Sequence, residues 1–230
     1  MVAPTLILLP GLDGTAALFD PFLAAAPSAF SMRPLPLPND RPRNYRELAD
    51  WVLTQLPAGP IALVAESFSG PLALMVADRC ERVTSVVLCA SFVEPPVAGV
   101  FGRIPKLFWK RPPPAALVRF FLAGGDRVLG EVVGRTIGAL DPEITAARIE
   151  AVLSVNVTAE LARYTRPLMF LDATQDRIIR SRAHQRARNI KPSAHFVQIE
   201  GPHLILQTRP VEAWRHIEPF LAGDGVCESG

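Results

Sequence analysis

Ile61-Ala62-Leu63-Val64-Ala65-Glu66-Ser67-Phe68-Ser69-Gly70-Pro71-Leu72-Ala73-Leu74-Met75-Val76-Ala77 is the stretch whose reading decides the fold. Its first residues are a short apolar run of strand length. Its last seven read as a helix. Between them a serine stands among small residues, the arrangement of a nucleophile elbow, in which a sharp strand-to-helix turn lifts a side chain out of the sheet. Strand and helix backbones approach closely at such a turn, so its flanks must be small. The common pattern is G-x-S-x-G. Here Ala65 and Ser69 occupy the glycine positions and Gly70 follows one step later. The pattern is degenerate, and many loops hold a serine among small residues. What raises it is the strand–turn–helix context and whether partner groups occur where the chemistry needs them.

Working outward, Thr5 to Leu9, Val83 to Cys89, Pro167 to Asp172 and His195 to Ile199 are further runs of strand length, with a weaker one from Phe30 to Leu35. Near-continuous apolar runs are the mark of strands buried on both faces. Helical patterns separate them: Ala17 to Ala26 with Pro21 as a start or a break, Tyr45 to Leu56, Ser69 to Cys80, Ile178 to Asn189 and Val211 to Leu221. In Tyr45 to Leu56, Leu48, Trp51, Val52 and Leu56 share a face, and Asn44 stands at the N-cap position. Alternating strands and helices predict a parallel sheet covered on both faces. The rhythm breaks at Glu94-Pro95-Pro96. From there to about Thr165 the sequence shows helices, Leu117 to Leu122 and Pro142 to Val155, but no clean strand. The predicted organisation is a core of residues 1–94 and 160–222, an inserted cap over 95–159 and a flexible polar tail over 223–230.

The chain has 230 residues, 49% of them hydrophobic, and a net charge of +2. That length fits one domain with a large core. The charge is too small to point to nucleic acid. Cys80, Cys89 and Cys227 are odd in number and widely spaced, which fits neither a disulfide framework nor a metal site. The apolar stretch at the N-terminus lacks a basic n-region and is cut short by Pro10-Gly11, so the expected location is cytoplasmic. The absence of GxxxxGK[ST] and GxGxxG patterns argues against nucleotide binding.

Sites on parallel sheets lie at the carboxyl ends of the strands. Four loops qualify: Gly11–Thr15, Glu66–Gly70, Ala173–Arg177 and Gly201–His203. A serine needs a base. Of His184, His195, His203 and His216, only His203 lies in one of these loops. The plainer reading makes it a capping residue of the following segment. His184 and His216 fall in charged helices and read as surface residues. The base in turn needs an acid to fix its tautomer. Asp176 is favoured on reach, since a residue beyond the strand end can fold back over the sheet. Asp172 and Glu94 remain rivals. The backbone amides of Phe68 and Leu12 are the candidate oxyanion donors; the plainer reading of Gly11–Thr15 is an ordinary tight turn. Asp13 is expected to point away from any oxyanion. Glu66 is either a hydrogen-bonding support or a solvated capping residue.

Taken together, Pro10-Gly11-Leu12-Asp13-Gly14, Glu66-Ser67-Phe68-Ser69-Gly70, the Asp176 loop and Gly201-Pro202-His203 resemble the α/β-hydrolase superfamily over nearly the whole chain. The resemblance implies the triad order Ser67, Asp176, His203 and a cap domain at the position of the insertion. The chain departs from the family in its elbow, which lacks both usual glycines. It also begins at what would be the third family strand, so a reduced six-stranded sheet is expected. Within the superfamily the motifs are similar to small carboxylesterases of the pimeloyl-carrier methyl esterase kind and to phytyl-ester-synthase acyltransferases. The resemblance therefore implies a serine hydrolase of carboxylic esters or thioesters working through an acyl-enzyme, with no metal and no organic cofactor. Acyl transfer to an alcohol, or ligand binding without catalysis, are the other readings.

Residues 95–130 carry a net charge of +5 against −3 for the remainder. The basic residues Arg103, Lys106, Lys110, Arg111, Arg119 and Arg127 interleave with aromatic ones. Phe101, Phe108, Trp109, Phe120 and Phe121 are expected to line an acyl pocket beside Ser67. The basic residues suit an anionic carrier, such as acyl-carrier protein or coenzyme A, or an anionic membrane surface. The plainer reading is a solvated lid face with snorkelling side chains.

Overall fold

The apolar runs become strands β1 (Thr5–Leu9), β3 (Ile61–Glu66), β4 (Val83–Cys89), β5 (Leu168–Ala173) and β6 (His195–Ile199), and a three-residue edge strand, β2 (Met32–Pro34), joins them. In this computed structural model, which describes residues 3–96, 114–179 and 181–223, they form one sheet in the order β2-β1-β3-β4-β5-β6. Every pairing is parallel. This is the α/β-hydrolase fold with a six-stranded sheet, as expected.

The strands alternate between two cores. Ile7, Leu9, Leu63, Ala65, Leu88 and Phe170 face the helices Tyr45–Gln55 and Ser69–Arg79. Leu6, Leu8, Val64, Val87 and Leu171 face the helices Asp20–Ala24 and Pro210–Ala222, where Phe22 and Trp214 stack. With both faces covered, neither side chain parity can be polar, so the strands read as unbroken apolar runs. All six residues of β3 and all six of β5 are buried.

Local sequence sets the helix starts. Asn44 and Glu47 form a capping box. Asp141 accepts from the Glu143 amide with Pro142 next in line. Elsewhere tertiary context moves the boundaries. The expected strand over Phe30 to Leu35 shrinks to Met32–Pro34 among its prolines, which cannot donate to a ladder. Ala17 to Ala26 divides into a 3-10 turn, Ala17–Phe19, and a helix, Asp20–Ala24, with Pro21 in its first turn. The helix expected from Ile178 begins only at Ser181, because the Asp176 carboxylate takes up the Ile178 and Ile179 amides in a turn.

Between β4 and β5 the described residues hold four helices and no strand: Ala115–Phe121, Arg127–Gly138, Pro142–Ser154 and Thr158–Arg163. The second and the fourth of these were not expected, and the three glycines of the second weaken its pattern. Gly130 has a packing reason: a Cβ there would lie 2.9 Å from that of Arg119 on the neighbouring helix. Val118, Val133 and Ile137 form a small separate core with Leu18 and Leu204. Further on, Ala151, Val155, Val157, Leu161 and Tyr164 are buried in the main core. Among the described residues no helix is long and apolar enough to cross a membrane.

Candidate active site

The strand order reverses direction between β1 and β3, so the loops leaving these two strands flank the switch point of the sheet, the usual crevice for ligands in such folds. Ser67 leaves β3 with a left-handed backbone, φ 47°. Its amide donates to the Cys89 carbonyl at 2.9 Å, and its own carbonyl accepts from Ser91 Oγ at 2.6 Å. The left-handed residue and these two bonds make the sharp turn. Ser69, at a usual glycine position, donates its hydroxyl to the Pro10 carbonyl and so ties the elbow to the loop after β1. Gly70 satisfies the close approach instead: a Cβ there would lie 2.7 Å from that of Ser91.

Ser67 Oγ lies 2.8 Å from His203 Nε2, and His203 Nδ1 lies 2.7 Å from Asp176 Oδ2. Asp176 Oδ1 accepts from the amides of Ile178 and Ile179 at 2.7 and 2.9 Å. Burial opposes the Asp176 charge, but the His203 ring and the two amides outweigh it and hold the carboxyl below its ordinary range. For His203, burial works against the imidazolium. The charge and hydrogen bond of Asp176, with Glu66 nearby, outweigh burial and raise it above 6.5.

The rival acids are engaged elsewhere. Asp172 pairs with His184 Nδ1 at 2.8 Å, and Glu94 pairs with Arg186. His184 is therefore not the free surface residue that its charged helix predicts. His195 packs edge-on against Phe220.

The loop after β1 is a turn closed by the Gly14 amide on the Gly11 carbonyl, 3.0 Å, with Gly14 at φ 67°. Asp13 is turned back onto Thr15, accepting from its amide and hydroxyl at 2.8 and 2.6 Å. Among the described residues no backbone hydrogen bond occupies the Leu12 or Phe68 amide. Phe68 is held by Tyr45, whose hydroxyl donates to the Phe68 carbonyl at 2.8 Å and whose ring stacks on it at 4.8 Å.

Glu66 is 1% exposed. One oxygen accepts from the Gln207 side-chain amide at 3.2 Å; the other has no partner among the described residues. Burial, with Asp13 as a neighbouring negative charge, pushes its carboxyl up to about 7, although the Gln207 bond and His203 pull the other way. It is a buried hydrogen-bonding support and not a solvated cap. Arg148, from the Pro142–Ser154 helix, also enters this region and is 2% exposed. Sequence reading passed over it, although it falls in register with Ile144, Ala151 and Val155 on an apolar stripe. A charge in such a stripe is the signal that finds it. Ser91 and Gln207 carry no comparable signal.

Phe101, Phe108 and Trp109 lie outside the described residues, as do Arg103, Lys106, Lys110 and Arg111. Phe120 and Phe121 are 50% and 39% exposed, with Arg177 stacked on Phe120 at 3.9 Å. No described contact joins either ring to Ser67. Among the described residues no cluster of three or more His, Cys, Asp or Glu side chains is arranged to hold a metal ion.

A family model described as the alpha/beta hydrolase family matches residues 6–216. No curated protein matches the sequence. Similar solved structures include the enol-lactonase from Burkholderia xenovorans LB400, with a TM-score of 0.84 at 16% identity, covering 96% of this chain and 92% of that one. A thermophilic esterase from Thermogutta terrifontis has a TM-score of 0.79 at 18% identity, covering 98% and 92%. A bromoperoxidase from Bacillus anthracis has a TM-score of 0.79 at 15% identity, covering 96% and 92%. At such identities the likeness is one of fold, and the three differing names make the same point.

Proposed function

We propose, for a chain that belongs to the alpha/beta hydrolase family, that Ser67, His203 and Asp176 form the catalytic triad of a carboxylic-ester hydrolase. The observation that carries the reading is the unbroken hydrogen-bond relay from Ser67 Oγ through both nitrogens of His203 to Asp176. In this reading His203 Nε2 takes the Ser67 proton as Oγ attacks the ester carbonyl carbon. The Leu12 and Phe68 amides hold the oxygen that becomes negative. The protonated Nε2 then gives its proton to the departing alkoxide or thiolate, leaving an acyl-serine. A water deprotonated by the same nitrogen completes hydrolysis. Asp176 stays ionised throughout and stabilises the imidazolium, consistent with its lowered carboxyl.

A fluorophosphonate probe tests this. Wild-type protein should label and hydrolyse p-nitrophenyl esters; Ser67→Ala should do neither. Ser69→Ala should still label, since its hydroxyl is engaged with Pro10. An unlabelled wild-type protein would sink the reading.

The substrate's carrier is a second part of the proposal. The +5 charge of residues 95–130 supports an acyl group delivered on an anionic arm, as with acyl-carrier protein or coenzyme A. Reversing the charge of Arg103, Lys106, Lys110 and Arg111 should depress kcat/KM for carrier-linked esters and leave free esters alone. Equal rates on both substrates in the variant and the wild type would refute it.

A further inference from the structure

Resting on that reading, we infer that Arg148 is a positioning residue for both oxyanion-binding amides, reaching them from the inserted helical segment. Its guanidinium donates to the Leu12 carbonyl at 2.9 Å, to Asn39 Oδ1 at 2.7 Å and to the Pro38 carbonyl at 3.4 Å. It also lies 5.8 Å from the centre of the Phe68 ring. Thus one side chain meets the two residues, Leu12 and Phe68, whose amides are the proposed donors.

The surrounding residues make room for it. A Cβ at Gly14 would lie 2.7 Å from Arg148 Cζ, so the turn is open where the guanidinium enters. Burying a guanidinium is unfavourable unless its N–H groups are used. Burial draws its pKa down to about 10, against the favourable charge of Asp13, and this still leaves it a cation at neutral pH. Its acceptors come from two loops, Leu12 after β1 and Pro38-Asn39 after β2, which it clamps together; the Leu37 amide to Gly14 carbonyl bond, 2.8 Å, joins the same two loops. A loop of five residues with two glycines has many backbone states. Fixing the Leu12 carbonyl narrows them to the one that presents the Leu12 amide. The Phe68 side is narrowed by Tyr45 and by the guanidinium beneath the ring. A preorganised donor stabilises charge that develops only in the transition state, so loosening it lowers kcat and leaves KM.

The test uses the full chain and Arg148→Met, which keeps length and removes the donors, assayed with p-nitrophenyl butyrate and with an aryl trifluoromethyl ketone as a tetrahedral mimic. The expected result is a kcat lower by about 10- to 100-fold, KM within about threefold, and a matching loss of ketone affinity. A merely structural brace would lower the melting temperature without this split. A folded Arg148→Met protein with wild-type kcat and ketone affinity overturns the inference, and so does a loss confined to KM. If Arg148→Met does not fold, Asn39→Ala decides, because Asn39 is exposed and withdraws only one acceptor. A kcat reduced by about threefold at unchanged KM supports the clamp, and an unchanged kcat overturns it. Fluorophosphonate labelling of the wild type separates the two levels: without it the serine-hydrolase reading fails first, whatever Arg148 does.

Discussion

Ser67 holds a left-handed backbone that costs a non-glycine residue of order 1–3 kcal/mol. Its surroundings over-determine it through the bonds to Cys89 and Ser91. His203, the proposed base beside it, is tuned in a testable direction. His203 is raised above 6.5, so the neutral form that accepts a proton appears only as the pH climbs through that higher value. The acid limb of kcat/KM should therefore have its midpoint above 6.5. Asp176→Asn should move that limb to lower pH and reduce kcat by about 10⁴-fold. A limb unmoved in Asp176→Asn would assign it to another group.

Glu66 gives a second prediction at this scale. Its carboxyl is raised from 4.5 to about 7 by burial, so the stability it adds is fully present below 4.5 and is lost as the pH rises through about 7. The gap corresponds to roughly 3 kcal/mol at most. Thermal melts from pH 4 to 8 should show the wild-type midpoint falling across that window, and Glu66→Gln should lack the fall. Removing this negative charge also lowers His203, so the acid limb of the variant should lie at lower pH than in the wild type. A pH-independent difference between the two melts would rule the assignment out.

Among the elements, the strand–turn–helix unit shows how a degenerate motif works. The close approach that glycine normally permits is met at Gly70 against Ser91, while Ala65 lies buried in β3 and Ser69 binds the neighbouring loop. Gly70→Ala should destabilise the protein by about 2–3 kcal/mol, an overpacking cost. Adding Ser91→Gly should recover most of that loss, and urea melts of the single and double variants measure the coupling. Strict additivity would place the clash elsewhere. The motif was legible because small residues and flanking periodicities are local properties. Ser91 was not, because it meets the turn only through the pairing of β3 with β4.

On the scale of the molecule, β1, β3, β4 and β5 are flanked on both sides, while β2 is a three-residue edge strand with half-buried and exposed residues. Amide hydrogen exchange should be slowest in Ile61–Glu66 and Val83–Cys89 and much faster in Met32–Pro34. Equal protection would mean that the edge strand unfolds only with the whole domain. The same sheet order explains what was and was not visible beforehand. The sequence by itself determined the strands and the helices that cover the sheet, since burial on both faces leaves only apolar runs and helix caps are written in single residues. It also determined which loops hold the serine, the histidine and the aspartate, because the alternation of strand and helix sends every second loop to the same end of a parallel sheet. Only the tertiary structure decided that Asp172 answers His184 while Asp176 answers His203, that Glu66 lies buried on Gln207, and that Arg148 joins the inserted helix to Leu12. Those partners lie 12 to 141 positions apart in sequence, and no local periodicity encodes a contact whose geometry depends on strand order and on how the helices pack over the sheet.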